Sequence, residues 1–198
     1  MGASPSPHHE CLIYGGWPSH QLPAIAAVIR KKLSQGHRCI YFNRPTMIAE
    51  LELHLSAGKV RVSHEIETGR LVLTSERPHL RTGAFDMDLM LQSLEDAFDG
   101  AMSAGCAGLW TSGDIGWEFG PEPDFSPLLE YELRLDAFFS AHPEYAGICQ
   151  YHGPSLPKEV LQHGLYTHPS IFISEVLSLK NQMYLEQAVV GAPDGQIG

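Results

Sequence analysis

Apolar positions along this chain follow two alternating rhythms. Short runs rich in β-branched, aromatic and other apolar residues recur at residues 11–14, 39–42, 71–74, 108–111 and 145–151, the length and composition expected of strands. Between them the apolar period lengthens to that of a helix. In the first such segment Ser19 and Pro23 suit an opening turn, Leu22, Ile25, Ala26, Ile29 and Leu33 form one stripe, and Gly36 follows the basic Arg30, Lys31 and Lys32, so a helix is predicted to begin within 19–23 and to stop at Gly36. A second helix is predicted over 46–56, ahead of a less regular stretch to Gly69. A third covers 86–103, where Leu89, Leu91, Leu94, Ala97, Phe98 and Met102 supply a broad apolar face. A fourth covers 126–141, with Leu129, Leu133, Ala137 and Phe138 expected inside. "LPKEVLQHGL", residues 156–165, reads as a short helix opened by Pro157, and "PSIFIS" as a last strand of either direction. Strands alternating with helices predict an α/β fold with a mainly parallel central sheet.

The C-terminal stretch "SEVLSLKNQMYLEQAVV" is amphipathic, with Val176, Leu179 and Met183 at coiled-coil spacing. A helix over 175–190 is therefore expected, packed on its own domain, with a homodimer or partner helix as the alternative. Residues 191–198, "GAPDGQIG", are expected to be a disordered tail, leaving one domain over 8–174.

Composition narrows the function. The 198 residues are 43% hydrophobic, enough for one substantial core. A formal charge of -10 gives no basic field for a polyanion, which argues against direct nucleic-acid binding. No apolar run approaches a membrane span and no signal peptide is evident, so a cytoplasmic location without membrane attachment is expected. Cys11, Cys39, Cys106 and Cys149 lie far apart in or beside apolar segments, a pattern of reduced core thiols.

In open α/β sheets ligands bind outside the carboxyl ends of the strands. That rule selects Gly15, Gly16 and Trp17; Asn43 and Arg44; Ser75 and Glu76; Ser112, Asp114 and Trp117; and Gln150, Tyr151 and His152. The first loop, "YGGWPSHQ", has the strand, glycine turn and helix of a phosphate cradle but no lysine. A triphosphate would find no counter-charge there and magnesium no following hydroxyl, which leaves a tight turn or a contact for a small ligand. His9 and Cys11 share one side of an extended segment, and a soft metal or an electrophile could use them. With Cys39 and Cys149 on other predicted strands and His168 near a third, a composite thiolate-imidazole site could be assembled but is not specified by spacing; singly, the cysteines read as small core residues, and no metal is assigned. In "TSGDIGWEFG" the carboxylates Asp114 and Glu118 are an acid and base pair or a turn cap and a solvated group, and Trp117 is a candidate pocket wall. Glu130 and Arg134 are spaced to pair on a helix surface. His152 is an exposed loop residue or a ligand contact.

"HECLIY", "GHRCIYF", "LRTGAFDMDLML", "GDIGWEF", "LLEYELRLDAFF", "CQYHG" and "THPSIFI" occur in this order, and their succession over residues 9–173 resembles the MEDS domain, the sensory module of methanogens, methylotrophs and the dichloromethane-responsive repressor. The resemblance implies a three-layer RecA-like or KaiC-like P-loop core without a functional Walker A. It implies a non-catalytic sensor of prokaryotic signal transduction that binds a simple hydrocarbon derivative and signals to a kinase or transcription-regulating output, without a cofactor. The ligand-site residues it supports are His9, Cys11, Asp114, Trp117, Glu130, Gln150, Tyr151 and His168, beside Gly15, Gly16, Trp17 and His152 from the strand-end rule. No output module is recognised in the sequence, so the chain is expected to be a fragment of a larger regulator or to act through a separate partner. Two rival readings stand: a thiol- or metal-dependent or degenerate nucleotide-binding enzyme, and a docking adaptor that binds no small molecule.

Overall fold

In the computed structural model, which describes residues 8–186, each predicted strand forms. β1 (His9–Tyr14) leads into α1 (Leu22–Ser34), β2 (Arg38–Phe42), α2 (Pro45–Ala57), α3 (Val62–Glu67) and β3 (Leu71–Thr74). A small hairpin, β4 (Leu80–Arg81) and β5 (Ala84–Phe85), precedes α4 (Met87–Ser103), β6 (Leu109–Asp114), α5 (Ile115–Glu118) and α6 (Leu128–Ala141). β7 (Tyr145–His152), a 3-10 turn at Gly153–Ser155, α7 (Lys158–Thr167), β8 (Ser170–Ser174) and β9 (Leu177–Lys180) complete it.

The central sheet has the order β3-β2-β6-β7-β1-β8-β9, and every pairing in it is parallel except that of β8 with β9. The chain leaving β1 crosses over to β2, and β6 and β7 later fill the gap, so the carboxyl ends of β1, β7, β6 and β2 stand side by side. Parallel strands buried on both faces read as continuous apolar runs, which is why these were visible in the sequence. On one face, Ile25, Ile29, Leu51 and Leu55 of α1 and α2 pack against Cys39, Tyr41, Trp110 and Ile148. On the other, Leu94, Phe98, Tyr131, Leu135 and Phe139 of α4 and α6, with Val160 of α7, pack against Cys11, Ile40, Leu109 and Tyr151. The result is a three-layer α/β sandwich.

Two expectations are corrected. No helix occupies the described part of 175–190: Leu177–Lys180 pairs antiparallel with β8, and residues 187–198, with the expected tail and the rest of the expected helix, lie outside the described residues. β9 offers β8 a partner for its backbone groups, whereas a two-heptad helix has weak intrinsic stability. Residues 181–186 are held by both side chain and backbone: Asn181 Nδ2 donates to the Leu165 and His168 carbonyls at 2.6 and 2.7 Å, and the Leu185 N–H donates to the Tyr166 carbonyl at 2.9 Å.

The second correction concerns α6. Leu129 and Ala137 are exposed, and Leu133 and Phe138 only half-buried; the buried face carries Leu128, Tyr131, Glu132, Leu135, Asp136 and Phe139. Two apolar stripes compete on this helix. The one that wins brings two carboxylates into the core. Sequence periodicity also passed over α3 and the β4/β5 hairpin, elements too short for a clear period. Among the described residues, no helix is long and apolar enough to cross a membrane.

Candidate functional site

A crevice of about 380 Å³ opens at the carboxyl ends of β1, β2, β6 and β7, lined by Tyr14, Trp17, Asn43, Arg44, Met47, Asp114, His152 and their neighbours. The loop after β1 forms one wall. Gly16 there has φ +77°, and a Cβ on it would meet the His20 ring at 2.5 Å, so the turn depends on glycine twice over. Trp17, 74% exposed, stands at the mouth. His152 Nε2 donates to the Gly16 carbonyl at 3.0 Å, and His152 Nδ1 lies 2.9 Å from Ser155 Oγ, tying the β1 exit to the β7 exit. The Tyr14 and His152 rings face each other at 5.1 Å.

Asp114, the last residue of β6, supplies the crevice with a carboxylate. Its Oδ1 caps α5 by accepting the Trp117 N–H at 2.9 Å, and its Oδ2 accepts the Tyr14 hydroxyl at 3.1 Å. Burial pushes its carboxyl above the ordinary range against the pull of those two donors, while burial and the neighbouring Asp114 charge push the Tyr14 phenol up. Beneath the floor, Gln150 is fully buried, accepting from Gln21 Nε2 and donating to Ser112 Oγ. Trp117 is buried under the adjoining concavity, its ring covered by the Arg77 guanidinium at 5.1 Å.

The remaining predicted residues gather elsewhere. Strand alternation turns Cys149 and Tyr151 away from Gln150, toward α6 and α7. There, on the opposite face of the sheet, His9, Glu132, Cys149 and His168 bring one donor atom each to within 4.8 Å of one another. His9 Nε2 and His168 Nε2 each stand 3.6 Å from Glu132 Oε2. Cys149 Sγ lies 3.7 Å from His9 Nε2 and 3.8 Å from Glu132 Oε2. An outer ring of contacts orients these groups: His9 Nδ1 to Asp136 Oδ1 at 2.9 Å, His168 Nδ1 to the Gly164 carbonyl at 2.8 Å, Tyr151 to Glu132 Oε1 at 2.5 Å and Tyr184 to Asp136 Oδ2 at 2.7 Å.

Burial favours neutral groups here, and the contacts decide which remain charged. For His9 the lowering effect of burial is outweighed by hydrogen bonds and charges from Asp136 and Glu132, leaving the imidazole above its ordinary value. For His168 burial and the His9 charge act together and bring it to about 4. Burial would raise Glu132, but His168, His9 and Tyr151 hold it below the usual carboxylate range.

The predicted residues therefore divide. Gly15, Gly16, Trp17, Asp114 and His152 belong to the crevice or its loop, with Gln150 and Trp117 beneath it; His9, Tyr151 and His168 belong to the buried cluster. Cys11 packs in the apolar core close by, and Cys39 is on the other side of the sheet. Glu130 is exposed and belongs to neither; its expected partner Arg134 instead pairs with Asp88 at 2.8 Å. Sequence reasoning missed Glu132 and Asp136, whose i,i+4 spacing beside Tyr131, Leu135 and Phe139 was the available signal.

This strand order and layering define a RecA-like, KaiC-like α/β fold. One solved structure similar to it is an uncharacterised protein of Pyrococcus horikoshii crystallised with an unknown peptide, at TM-score 0.63 and 14% identity, covering 83% of this chain and 76% of that one. Another is a KaiC-like protein of Pyrococcus horikoshii OT3, at TM-score 0.55 and 12% identity, covering 83% and 70%. A search of curated proteins finds no match. Residues 8–169 match the family described as MEthanogen/methylotroph, DcmR Sensory domain, and the chain belongs to this family, MEDS. It carries a sensory domain.

Proposed function

We propose that this domain senses a small, largely apolar organic molecule of the hydrocarbon-derivative class in the strand-end crevice, without chemical turnover, and passes the signal to a kinase or transcription-regulating partner. The observation that carries the reading is the make-up of the crevice: aromatic and thioether walls from Tyr14, Trp17 and Met47, a buried carboxylate at Asp114, and one cation in the lining, Arg44. Such a lining suits a ligand with an apolar body and one hydrogen-bonding group. The lysine-free glycine loop would leave a triphosphate without its principal counter-charge.

The ligand's effect follows from the two tethered exits. A molecule that draws Trp17 over the crevice favours one arrangement of the Gly15 loop, and through His152 one arrangement of the turn after β7. The equilibrium moves only by the difference in affinity between the two arrangements. With at most about 1.5 kcal/mol for each heavy atom of the best small ligands, a one-carbon compound needs the tryptophan closed over it to bind with useful affinity.

Thermal-shift screening of small alcohols, amines and halocarbons, with nucleotides alongside, tests this. A hit is followed by Trp17 fluorescence. Stabilisation by an apolar small molecule, lost in Trp17→Ala and Asp114→Asn, is the expected result. Stabilisation by nucleotides alone, or a hit indifferent to both substitutions, overturns it.

A further inference from the structure

We propose that His9, Glu132, Cys149 and His168 form a tetrahedral transition-metal site, with zinc as the expected ion, beneath the sheet and separate from the crevice. Four elements supply one ligand each: β1, α6, β7 and the turn entering β8. Ligands held about 2.0–2.3 Å from a tetrahedral zinc ion stand roughly 3.3–3.8 Å apart. The distances from Glu132 Oε2 to both imidazoles are 3.6 Å, and those from Cys149 Sγ to His9 and Glu132 are 3.7 and 3.8 Å.

An independent observation points to an ion. His168 Nε2 is buried without a hydrogen-bond partner. Because Nδ1 faces the Gly164 carbonyl at 2.8 Å, Nδ1 carries the proton and Nε2 presents a lone pair. That lone pair faces a carboxylate oxygen at 3.6 Å, an acceptor set against an acceptor. A cation between the two atoms turns the arrangement from repulsive to favourable. His9 is oriented in the same manner, with Nδ1 against Asp136 and Nε2 inward. Carboxylate and backbone carbonyl are the usual outer partners of metal-bound histidine.

Charge and donor type select the metal. Among the described residues, neither Glu132 nor Asp136 pairs with Arg or Lys; imidazoles are the cationic groups at ion-pair distance. A divalent ion would neutralise the Glu132 carboxylate and the Cys149 thiolate together, and binding would release to solvent the thiol proton and any proton held on His9 Nε2. Two imidazoles, a thiolate and one carboxylate suit zinc over magnesium or calcium. With all four positions filled by the protein, the ion would have a structural role, pinning α6 and the entrance to β8 onto β1 and β7.

The test uses the full chain, reduced and stripped by a chelator, titrated with Co²⁺ as a spectroscopic probe. One equivalent should bind with a thiolate-to-cobalt charge-transfer absorption, be displaced by Zn²⁺, and raise the thermal midpoint. Cys149→Ser should abolish the absorption, while Cys11→Ser, Cys39→Ser and Cys106→Ser retain it. Zinc-edge X-ray absorption on the zinc-loaded wild type needs no variant and should show one sulfur among four ligands. No stoichiometric binding, an absorption that survives Cys149→Ser, or a zinc shell without sulfur overturns the assignment. None of these outcomes bears on the crevice.

Discussion

Glu118 folds its side chain back over Gly113, so closely that a Cβ added to the glycine would fall 1.7 Å from Glu118 Oε1. The strand end of β6 and the short α5 thereby close on one another through a glycine and a buried carboxyl. Gly113→Ala is expected to destabilise the domain by about 1–3 kcal/mol through overpacking. Urea unfolding measures this, and a Glu118→Ala background should relieve much of the cost if the clash is its cause.

Burial, with the Glu132 and Asp114 charges adding to it, pushes the Glu118 carboxyl from 4.5 up to about 8. The folded state then holds one more proton than the unfolded chain between these values, so stability falls as pH rises, by roughly 1.4 kcal/mol per pH unit. Glu118→Gln keeps the shape and removes the proton. Its unfolding free energy should match the wild type near pH 4.5 and exceed it at pH 8, and equal pH slopes for the two proteins would disprove the assignment.

His152 is the tether between the two loops of the crevice, through Gly16 on one side and Ser155 on the other. His152→Ala should cost about 0.5–1.5 kcal/mol of local stability. Amide exchange at His20 and Leu22, whose N–H groups bond within the loop, should speed up roughly tenfold while the β6 amides are unchanged.

Neighbouring carboxylates on α6 should behave very differently. Glu130→Gln alters an exposed group and is expected to stay within about 0.5 kcal/mol of wild type. Glu132→Gln removes one of the two buried carboxylates facing His9, leaving Asp136, and puts a neutral amide where the Tyr151 hydroxyl donates, so it should cost about 3 kcal/mol or more. Thermal or urea unfolding of the pair decides between the helix face seen here and the one the apolar periodicity predicts.

Asn181 satisfies two carbonyls at the end of α7 and beside His168. Asn181→Ala should destabilise by about 1–3 kcal/mol, because buried acceptors lose their donor. Far-ultraviolet circular dichroism should show no loss of helix, in contrast to what a C-terminal helix over 175–190 would predict.

The division of labour between sequence and tertiary structure is visible in particular elements. α1 was legible in detail: Leu22, Ile25, Ala26, Ile29 and Leu33 are all buried, because one apolar stripe had no competitor. The crevice was legible as a place, because a parallel sheet fixes where loops converge, and Asp114 and His152 follow from strand ends. α6 was not legible, because two stripes of similar hydrophobicity lie a residue apart and local sequence carries no term for what each would meet. The last strand and its neighbour were ambiguous for a related reason: "SEVLSLK" fits a helix by itself and a strand once an edge such as β8 is available to pair with it.

The α/β alternation, the parallel core and the absence of a lysine in the first loop are readable from the chain alone, since these depend on local period, composition and residue type. That the candidate residues form two places, not one, emerges from packing across the sheet. Successive residues of β7 point to opposite faces of the sheet, so Gln150 and Tyr151, adjacent in the chain, are separated by the sheet itself. His9 and Asp136, 127 residues apart, meet at 2.9 Å because packing α6 against β1 removes them from water together, and buried polar groups must then find each other.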